Sequence, residues 1–224
     1  MKKDKSFETL AIHAGEKEGK AKNALNNPIY MTSTFTFENL DHAEKTFSFK
    51  TDDYVYTRGN NPTLKVLEKK IAVLEDGCDA VAFASGMAAI SSTILSEAGP
   101  GEKVLAHKVL YGSSYNFIKN ILPENKIESH LLDFTDLNKL EKNMTEEVSV
   151  VYFETPANPN LDIIDIEKVT KIAHSYNAKV IVDNTFATPY FQNPLNLGAD
   201  IVVHSATKYI SGHGDVVAGI AAAN

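Results

Sequence analysis

From Asn61 onward, short apolar runs alternate with stretches in which apolar residues recur at helical spacing. The apolar runs are AVAFA (80–84), KVLAH (103–107), VSVVYFE (148–154), KVIVD (179–183) and DIVVHS (200–205). They are apolar along most of their length, as strands buried on both faces are. Strands of this kind separated by helices predict an α/β fold with a mostly parallel sheet that helices cover on both faces.

The first helix of this region carries signals at both ends. Asn61 is placed to cap it, Pro62 suits the first helical position, and Gly77 suits the C-terminal cap. Further along, Asp165 is placed to cap another helix. The first helix is expected to bury one face, because four apolar residues recur at helical spacing: Leu64, Leu67, Ile71 and Leu74.

Residues 1–60 have a different character. They are polar and irregular, with Asn-Asn-Pro turns at 26–28 and 60–62 and one short helix candidate at 39–48. A segment of this kind buries little of its own surface. We therefore expect residues 1–60 to form an arm that lies across the main domain or a second subunit, and residues 61–224 to form the main domain.

Composition and charge narrow the class of protein. The net charge of -7 argues against nucleic acid or an anionic membrane as a partner. The single cysteine, Cys78, excludes an internal disulfide framework and fits a reducing compartment. The sequence shows neither a signal-peptide core nor a run of about 20 apolar residues. It therefore predicts a soluble, cytoplasmic protein.

Chemically active residues follow the predicted strands. In open sheets of this class, ligands bind at the carboxyl ends of the strands. The residues that would meet at that edge are Ser85, Gly86, Met87, Tyr111, Glu154, Asn158, Asp183, Ser205, Thr207 and Lys208. Taken singly, each has an ordinary structural explanation: a small-residue helix start, an Asp in a turn, or a solvated lysine.

Together these residues indicate a cofactor site. The helix start at Gly86 presents N–H groups and a positive dipole end to a phosphate, and Ser205 and Thr207 add hydroxyl donors. Partial desolvation would make Lys208 a usable amine nucleophile, and Asp183 can keep a ring nitrogen protonated. These are the requirements of pyridoxal 5′-phosphate (PLP) chemistry. There is no nucleotide-binding glycine motif, and the spacing of His204, His213 and Asp215 predicts no metal site.

The segment VDNTFATPYFQNPLNLGADIVVHSATKYISGHGDVVAG closely resembles the lysine-bearing segment of the PLP enzymes of cysteine and methionine metabolism. The likeness extends over nearly the whole chain, through LAIHAGE, YVYTRGNNPTLKVLEKKIAVLEDG, ASGMAAISSTIL and YFETPANPNLDIIDI. It implies the large domain of an aspartate aminotransferase-like, fold type I protein. Relatives continue into a smaller C-terminal domain, so this chain is expected to be a fragment, or a truncated protein that binds cofactor but turns over poorly.

The resemblance also implies roles for individual residues. Lys208 would hold PLP as a Schiff base and move protons, Asp183 would pair with the pyridine nitrogen, and Tyr111 would stack on the ring. Phosphate contacts would come from Gly86, Met87, Ser205 and Thr207, with Asn158 near the ring hydroxyl and Glu154 supporting the site. Tyr56 and Arg58 would reach the phosphate of a neighbouring subunit in a homotetramer built as a dimer of dimers.

The activity that the resemblance implies is carbon–sulfur lysis of a sulfur amino acid, as in methionine γ-lyase and cystathionine γ-lyase. Ser113 departs from the pattern, because this chain has YGSS where methionine γ-lyases have YGCT and many relatives YGGT. An alternative is a transferase that makes homocysteine or cystathionine from an O-acylhomoserine. A second alternative is a cofactor-binding chain with little catalysis.

Overall fold

The computed structural model describes residues 5–19 and 24–224. The chain divides into two compact units, Met1–Lys70 and Ile71–Asn224, and each is described by itself. The predicted arm, residues 1–60, falls inside the first unit, and its packing on a partner stays a prediction. Within the described ranges, no helix combines the length and apolar character needed to cross a membrane.

Short helices and turns make up the described part of the first unit. Its helices are α1 (Phe7–His13), α2 (Glu16–Gly19), α3 (Leu40–Phe47) and the start of α4 (Pro62–Glu75). The helix predicted at 39–48 is confirmed by α3, whereas α1 was not expected. Asn61 caps α4 as predicted, since the N–H of Thr63 donates to its Oδ1 across 2.8 Å.

The C-terminal end of α4 corrects one expectation. The residue in the left-handed conformation is Asp76, at φ 65°, and not Gly77. The N–H of Gly77 donates to the carbonyl of Ala72 at 2.9 Å, and the N–H of Asp76 to that of Val73 at 3.4 Å. This is the Schellman pattern, in which the glycine takes the second position after the helix.

The second unit is built on a seven-stranded sheet of the order β1-β7-β6-β5-β4-β2-β3. Its strands are β1 (Asp79–Phe83), β2 (Lys103–His107), β3 (Glu128–Leu132), β4 (Val148–Glu154), β5 (Lys179–Asp183), β6 (Ile201–His204) and β7 (Gly219–Ala223). The strands predicted at 103–107, 148–154 and 179–183 are confirmed to the residue, and the other two are shifted or shortened at their ends.

Strand direction sets where the functional edge lies. Strand β7 pairs antiparallel with both β1 and β6, and every other pairing in the sheet is parallel. The remaining six strands therefore run in one direction, and their carboxyl ends share one edge. The predicted mostly parallel sheet is confirmed.

Helices cover both faces of this sheet. They are α5 (Gly86–Glu97), α6 (Gly112–Asn116), α7 (Leu122–Glu124), α8 (Leu137–Asn143), α9 (Ile166–His174) and α10 (Thr188–Phe191), with a π-helical segment at Phe117–Ile121 and a 3₁₀ segment at Pro194–Leu197. Ile90 and Ile94 of α5 pack on one face of the sheet against Val150. Val169 of α9 packs on the other face against Val151. The strands are thus buried on both sides, as their continuous apolar sequences require.

Candidate active site

Three neighbouring strands bring polar side chains to the carboxyl edge of the sheet. Glu154, the last residue of β4, pairs with Asp183, the last residue of β5. Asp183 pairs in turn with Val203, one residue before the end of β6. Register therefore brings together Glu154, Asp183 and the segment that begins at His204, as the sequence predicted.

Asp183 is a buried carboxylate with few partners. Its side chain accepts a hydrogen bond from the N–H of Thr185 at 2.9 Å and one from the hydroxyl of Tyr152 at 3.4 Å. Burial raises the pKa of Asp183, while the hydrogen bonds from Thr185 and the proximity of His204 act in the opposite direction. A carboxylate in this state gains from a nearby cation, so the site fits a protonated ring nitrogen.

Glu154 is buried beside Asp183 and ties two loops together. Its Oε1 accepts the N–H of Tyr111 at 2.7 Å, and its Oε2 accepts the N–H of Asn158 at 3.3 Å. Burial, and then the charge of Asp183, raise the pKa of Glu154 to about 8 against the effect of these two bonds. One side chain thus positions the backbone of both Tyr111 and Asn158, whose side chains were predicted to contact the cofactor ring.

The start of α5 lies directly against Ser205. A Cβ built on Gly86 would come within 2.6 Å of the Ser205 Cβ and 2.7 Å of its Oγ, so only glycine fits. Ser85 caps the helix, and its Oγ accepts the N–H of Ala88 at 3.0 Å. The N–H groups of Gly86 and Met87 precede that capped group, in the part of a helix where N–H groups lack intrahelical acceptors. This cradle fits an anion such as a phosphate.

The hydroxyls of Ser205 and Thr207 differ in their hydrogen bonding. Among the residues that the structure describes, no hydrogen bond is recorded for the Ser205 hydroxyl. The Thr207 hydroxyl donates to the carbonyl of Ala218 at 3.1 Å and accepts the N–H of Ala218 at 3.0 Å. Thr207 therefore fastens the loop before β7, and its hydroxyl would have to rotate to donate to a phosphate.

Lys208 lies in the tight turn that follows β6. Its N–H donates to the carbonyl of Ser205 at 3.1 Å, and its carbonyl accepts the N–H of Gly212, which has φ 73°. Its side chain is exposed in this chain, and so is nearly half of the Tyr111 side chain. The prediction that Lys208 is partly desolvated is therefore wrong for the chain by itself.

Tyr56 and Arg58 lie in the first unit and contact each other. The guanidinium carbon of Arg58 is 5.0 Å from the centre of the Tyr56 ring, and both side chains are exposed. An exposed pair of this kind contributes about 0.5–1 kcal/mol. The pairing is consistent with a joint role, and their predicted contact with a neighbouring subunit stays a prediction.

The structure adds residues that the sequence did not single out. Thr185 links Asp183 to Ser205, because its N–H donates to Asp183 and its Oγ1 accepts the N–H of Ser205 at 2.8 Å. Tyr152, fully buried in β4, faces Asp183. Tyr152 lies two residues before Glu154, and in a strand that spacing places side chains on the same face. The spacing within β4 was the available signal for Tyr152.

The donor set as a whole fits PLP: a helix start with a free hydroxyl beside it, and a buried carboxylate one strand away. No group of three or more His, Cys, Asp or Glu side chains within 5–19 and 24–224 could hold a metal ion.

The family model for the Cys/Met metabolism PLP-dependent enzymes matches residues 8–224. An L-methionine gamma-lyase of Fusobacterium nucleatum subsp. polymorphum is 50% identical over 217 residues, which are 96% of this chain and 55% of that protein. The chain spans about half the length of the curated relatives it matches.

Two solved structures superimpose closely on this chain. A candidate O-acetylhomoserine (thiol)-lyase of Campylobacter jejuni, solved with N'-pyridoxyl-lysine-5'-monophosphate, superimposes with a TM-score of 0.94 at 34% identity, over 99% of this chain and 55% of that one. A cystathionine gamma-lyase of Lactobacillus plantarum, complexed with L-serine, gives 0.90 at 38% identity, over 98% and 55%. The chain belongs to the PLP-dependent enzymes of cysteine and methionine metabolism, and PLP is the cofactor of that family.

Proposed function

We propose that the protein is a carbon–sulfur lyase that uses PLP to cleave a sulfur amino acid such as methionine or cystathionine. One observation carries the proposal: Asp183 ends β5, Ser205 and Lys208 follow the adjacent parallel strand β6, and Ser205 lies against the start of α5. The 50% identity to a methionine γ-lyase supports the choice of substrate class.

In this proposal the chain holds the cofactor at three places. The N–H groups of Gly86 and Met87 and the hydroxyl of Ser205 bind the phosphate, and Ser85 and Thr207 shape that cradle. Asp183 pairs with the ring nitrogen, and Lys208 holds the aldehyde carbon. Tyr111 covers the ring, while Asn158 lies near the ring hydroxyl. Glu154 keeps the last two in place through their backbone N–H groups.

The bound cofactor supplies an electron sink for the negative charge that develops when the α-proton is lost. Asp183 supports this by keeping a positive ring nitrogen next to its carboxylate. The Lys208 Nζ, when it is not bonded to the cofactor, would be the base that takes the α-proton and then a proton from Cβ. The thiol then leaves, and for methionine the balance is methionine plus water to a 2-oxo acid, ammonia and methanethiol. Tyr111 lies at the same edge and can pass a proton to the leaving sulfur.

A second candidate is a transferase that replaces the leaving group of an O-acylhomoserine with sulfide or cysteine. Ser113, exposed and two residues after Tyr111, stands where methionine γ-lyases have a cysteine, which weakens the case for methionine as the substrate. The superposition on the Campylobacter jejuni protein supports the transferase.

One set of assays separates these functions. The full chain with PLP is incubated with methionine or cystathionine alone, and with O-acetylhomoserine plus sulfide. A lyase releases a 2-oxo acid and a thiol without a second substrate, whereas a transferase forms homocysteine only in the paired reaction. Cofactor binding without either product would overturn both and leave a cofactor-binding chain.

The lysine assignment has its own control. Lys208→Ala should abolish product formation and the visible absorption of the lysine-linked cofactor. Lys171→Ala, which removes an exposed lysine of α9, should change neither. A Lys208→Ala protein that kept the visible band would refute the site assignment.

We further propose that residues 1–60 act as an arm in a cytoplasmic homotetramer, and that Tyr56 and Arg58 reach the cofactor phosphate of a neighbouring subunit. The exposure of both side chains and their mutual contact support this role. An arginine suits it because its planar guanidinium matches phosphate oxygens.

A further inference from the structure

A buried acid–base pair lies behind the candidate site. Glu75 is the last residue of α4, and His204 is the last residue of β6. Neither side chain has exposed surface, and the His204 Nε2 is 2.6 Å from the Glu75 Oε1. The pair is far from solvent, where an isolated carboxylate would be strongly unfavourable.

The Glu75 carboxylate also binds two amides. The Nδ2 of Asn184 donates to Oε1 at 2.8 Å, and the Nδ2 of Asn193 donates to Oε2 at 3.4 Å. Gln192 completes the group by donating to the side-chain oxygen of Asn184 at 2.9 Å. Glu75 therefore joins the end of α4 to the ends of β5 and β6.

These contacts fall one residue away from the cofactor groups. Asn184 directly follows Asp183, and His204 directly precedes Ser205. Thr185 connects the same two segments, since it binds Asp183 through its N–H and Ser205 through its Oγ1. Asp183 and Ser205 are thus held to each other through Thr185 and, one residue away, through Glu75.

The electrostatic effect of His204 on Asp183 is consistent with this geometry. Burial raises the pKa of Asp183, and the neighbouring His204 acts in the opposite direction. A histidine held by a buried carboxylate is fixed in orientation, so its position relative to Asp183 is fixed as well.

We propose that Glu75 is a positioning residue for the cofactor site, which through His204 and Asn184 fixes the spacing between Asp183 and Ser205. In terms of the proposed function, on which this inference rests, Glu75 sets the distance between the group that faces the ring nitrogen and the group that faces the phosphate. Glu75 itself touches neither cofactor nor substrate.

The test uses the full chain and two readouts besides activity: the dissociation constant of PLP and the melting temperature of the cofactor-free protein. Glu75→Gln keeps the volume but replaces one acceptor oxygen with a donor that faces His204 or the amides. We expect its PLP dissociation constant to rise at least about tenfold, beyond any change explained by unfolding. Glu68→Gln is the matched control on the same helix, where the carboxylate faces Lys65 at 3.7 Å. It should leave PLP affinity unchanged.

Breaking a buried pair by removing one partner costs about 3–5 kcal/mol, which can prevent Glu75→Gln from folding. Two variants of His204 provide the test in that case. A glutamine amide reaches about as far as Nε2, so His204→Gln keeps the donor to Glu75. An asparagine amide reaches only about as far as Nδ1, so His204→Asn loses it. We expect His204→Gln to bind PLP clearly more tightly than His204→Asn.

Each outcome decides the matter. Unchanged PLP affinity in a folded Glu75→Gln protein, or equal affinities in the two His204 variants, would show that Glu75 only stabilises the fold and would overturn the inference. The proposed function is judged separately on the wild type. If the wild type releases lyase products and Glu75→Gln leaves the PLP affinity unchanged, only the positioning role is refuted. If the wild type binds PLP without lysis, only the proposed function is refuted.

Discussion

The backbone N–H of Tyr111 donates a hydrogen bond across 2.7 Å to the Oε1 of Glu154, 43 residues further along the chain. Because Oε2 accepts the N–H of Asn158, one buried carboxylate fixes the loops that follow β2 and β4. Burial and the charge of Asp183 raise the pKa of that carboxylate to about 8. The loops of the site are therefore held by a group whose charge depends on pH.

The stability of the cofactor-free protein should fall as pH rises from about 5 to about 8. An unfolded glutamate titrates at 4.5, so over this range the folded state keeps a proton that the unfolded state has lost. Glu154's stabilising contribution is complete below the unfolded pKa and is lost as pH rises through the folded one. A raised pKa at Asp183 acts in the same direction. Urea unfolding of wild type and Glu154→Gln across this range measures the difference, expected to be roughly 1.4 kcal/mol per pH unit at most.

The difference between the wild-type and Glu154→Gln curves excludes the contribution of all other titratable groups to stability, because those groups are common to both proteins. Glu141→Gln, an exposed change on α8, should parallel the wild type. If the Glu154→Gln curve also runs parallel to the wild type, Glu154 is not the protonated group.

Gly86→Ala should damage the anion cradle. The new Cβ would approach Ser205 to 2.6 Å, closer than carbon atoms pack, so Ser205 or the start of α5 must move. We expect a loss of about 1–3 kcal/mol in the free energy of unfolding and weaker PLP binding. Gly99→Ala is the control, since its Cβ would meet only the Glu102 Oε2 at an ordinary 3.6 Å. Equal behaviour of the two variants would argue against the close approach.

Asp183→Asn should weaken PLP binding while leaving the fold intact. The amide keeps the shape and one acceptor for Thr185, but loses the negative charge opposite the ring nitrogen. Hydrogen bonds to charged groups contribute about 1.5–3 kcal/mol, so affinity should fall roughly tenfold to hundredfold. PLP titration followed by absorbance gives this number. Asp136→Asn, a change at a partly exposed side chain before α8, should have no effect, and unchanged affinity in Asp183→Asn would remove Asp183 from the site.

Sharing of the site between subunits can be tested by mixing two inactive proteins. Arg58→Ala and Lys208→Ala should each be nearly inactive. Co-expressed chains should regain activity, because a site with Lys208 from one chain can take Arg58 from its partner. Each variant expressed alone is the control. Failure to regain activity in mixed oligomers would place both residues in a site made by one chain.

The strands of the second unit were predictable because their residues are apolar on both faces. Helices cover both sides of β4 and β5, so the sequence there reads as an uninterrupted apolar run with sharp ends. Asp183 and Glu154 were predictable for the same reason, since a charge that closes an apolar run marks the edge of the sheet. The capping of α4 by Asn61 depends only on local sequence and was likewise foreseen.

Long-range features could not be predicted in this way. Strand β7 is rich in alanine and glycine and resembles a helix or loop by composition, and only its pairing with β1 and β6 makes it a strand. Glu75 and His204 are 129 residues apart, and nothing local distinguishes Glu75 from Glu68, the other acid of α4, which is only partly buried. The exposure of Lys208 also depends on what surrounds the turn, which sequence spacing does not describe.

Gly86 follows β1 and Ser205 follows β6, and in the sheet these strands are separated by β7. Gly219 at the start of β7 packs against the residue before Gly86, where a Cβ would clash with the Ser85 carbonyl oxygen. A growing chain on the ribosome can therefore form β1, α5 and the parallel strands while the two halves of the cradle remain apart. The proposed cradle can close only after residues 219–223 have been synthesised and have paired with both β1 and β6, so on this proposal the phosphate site forms late in folding.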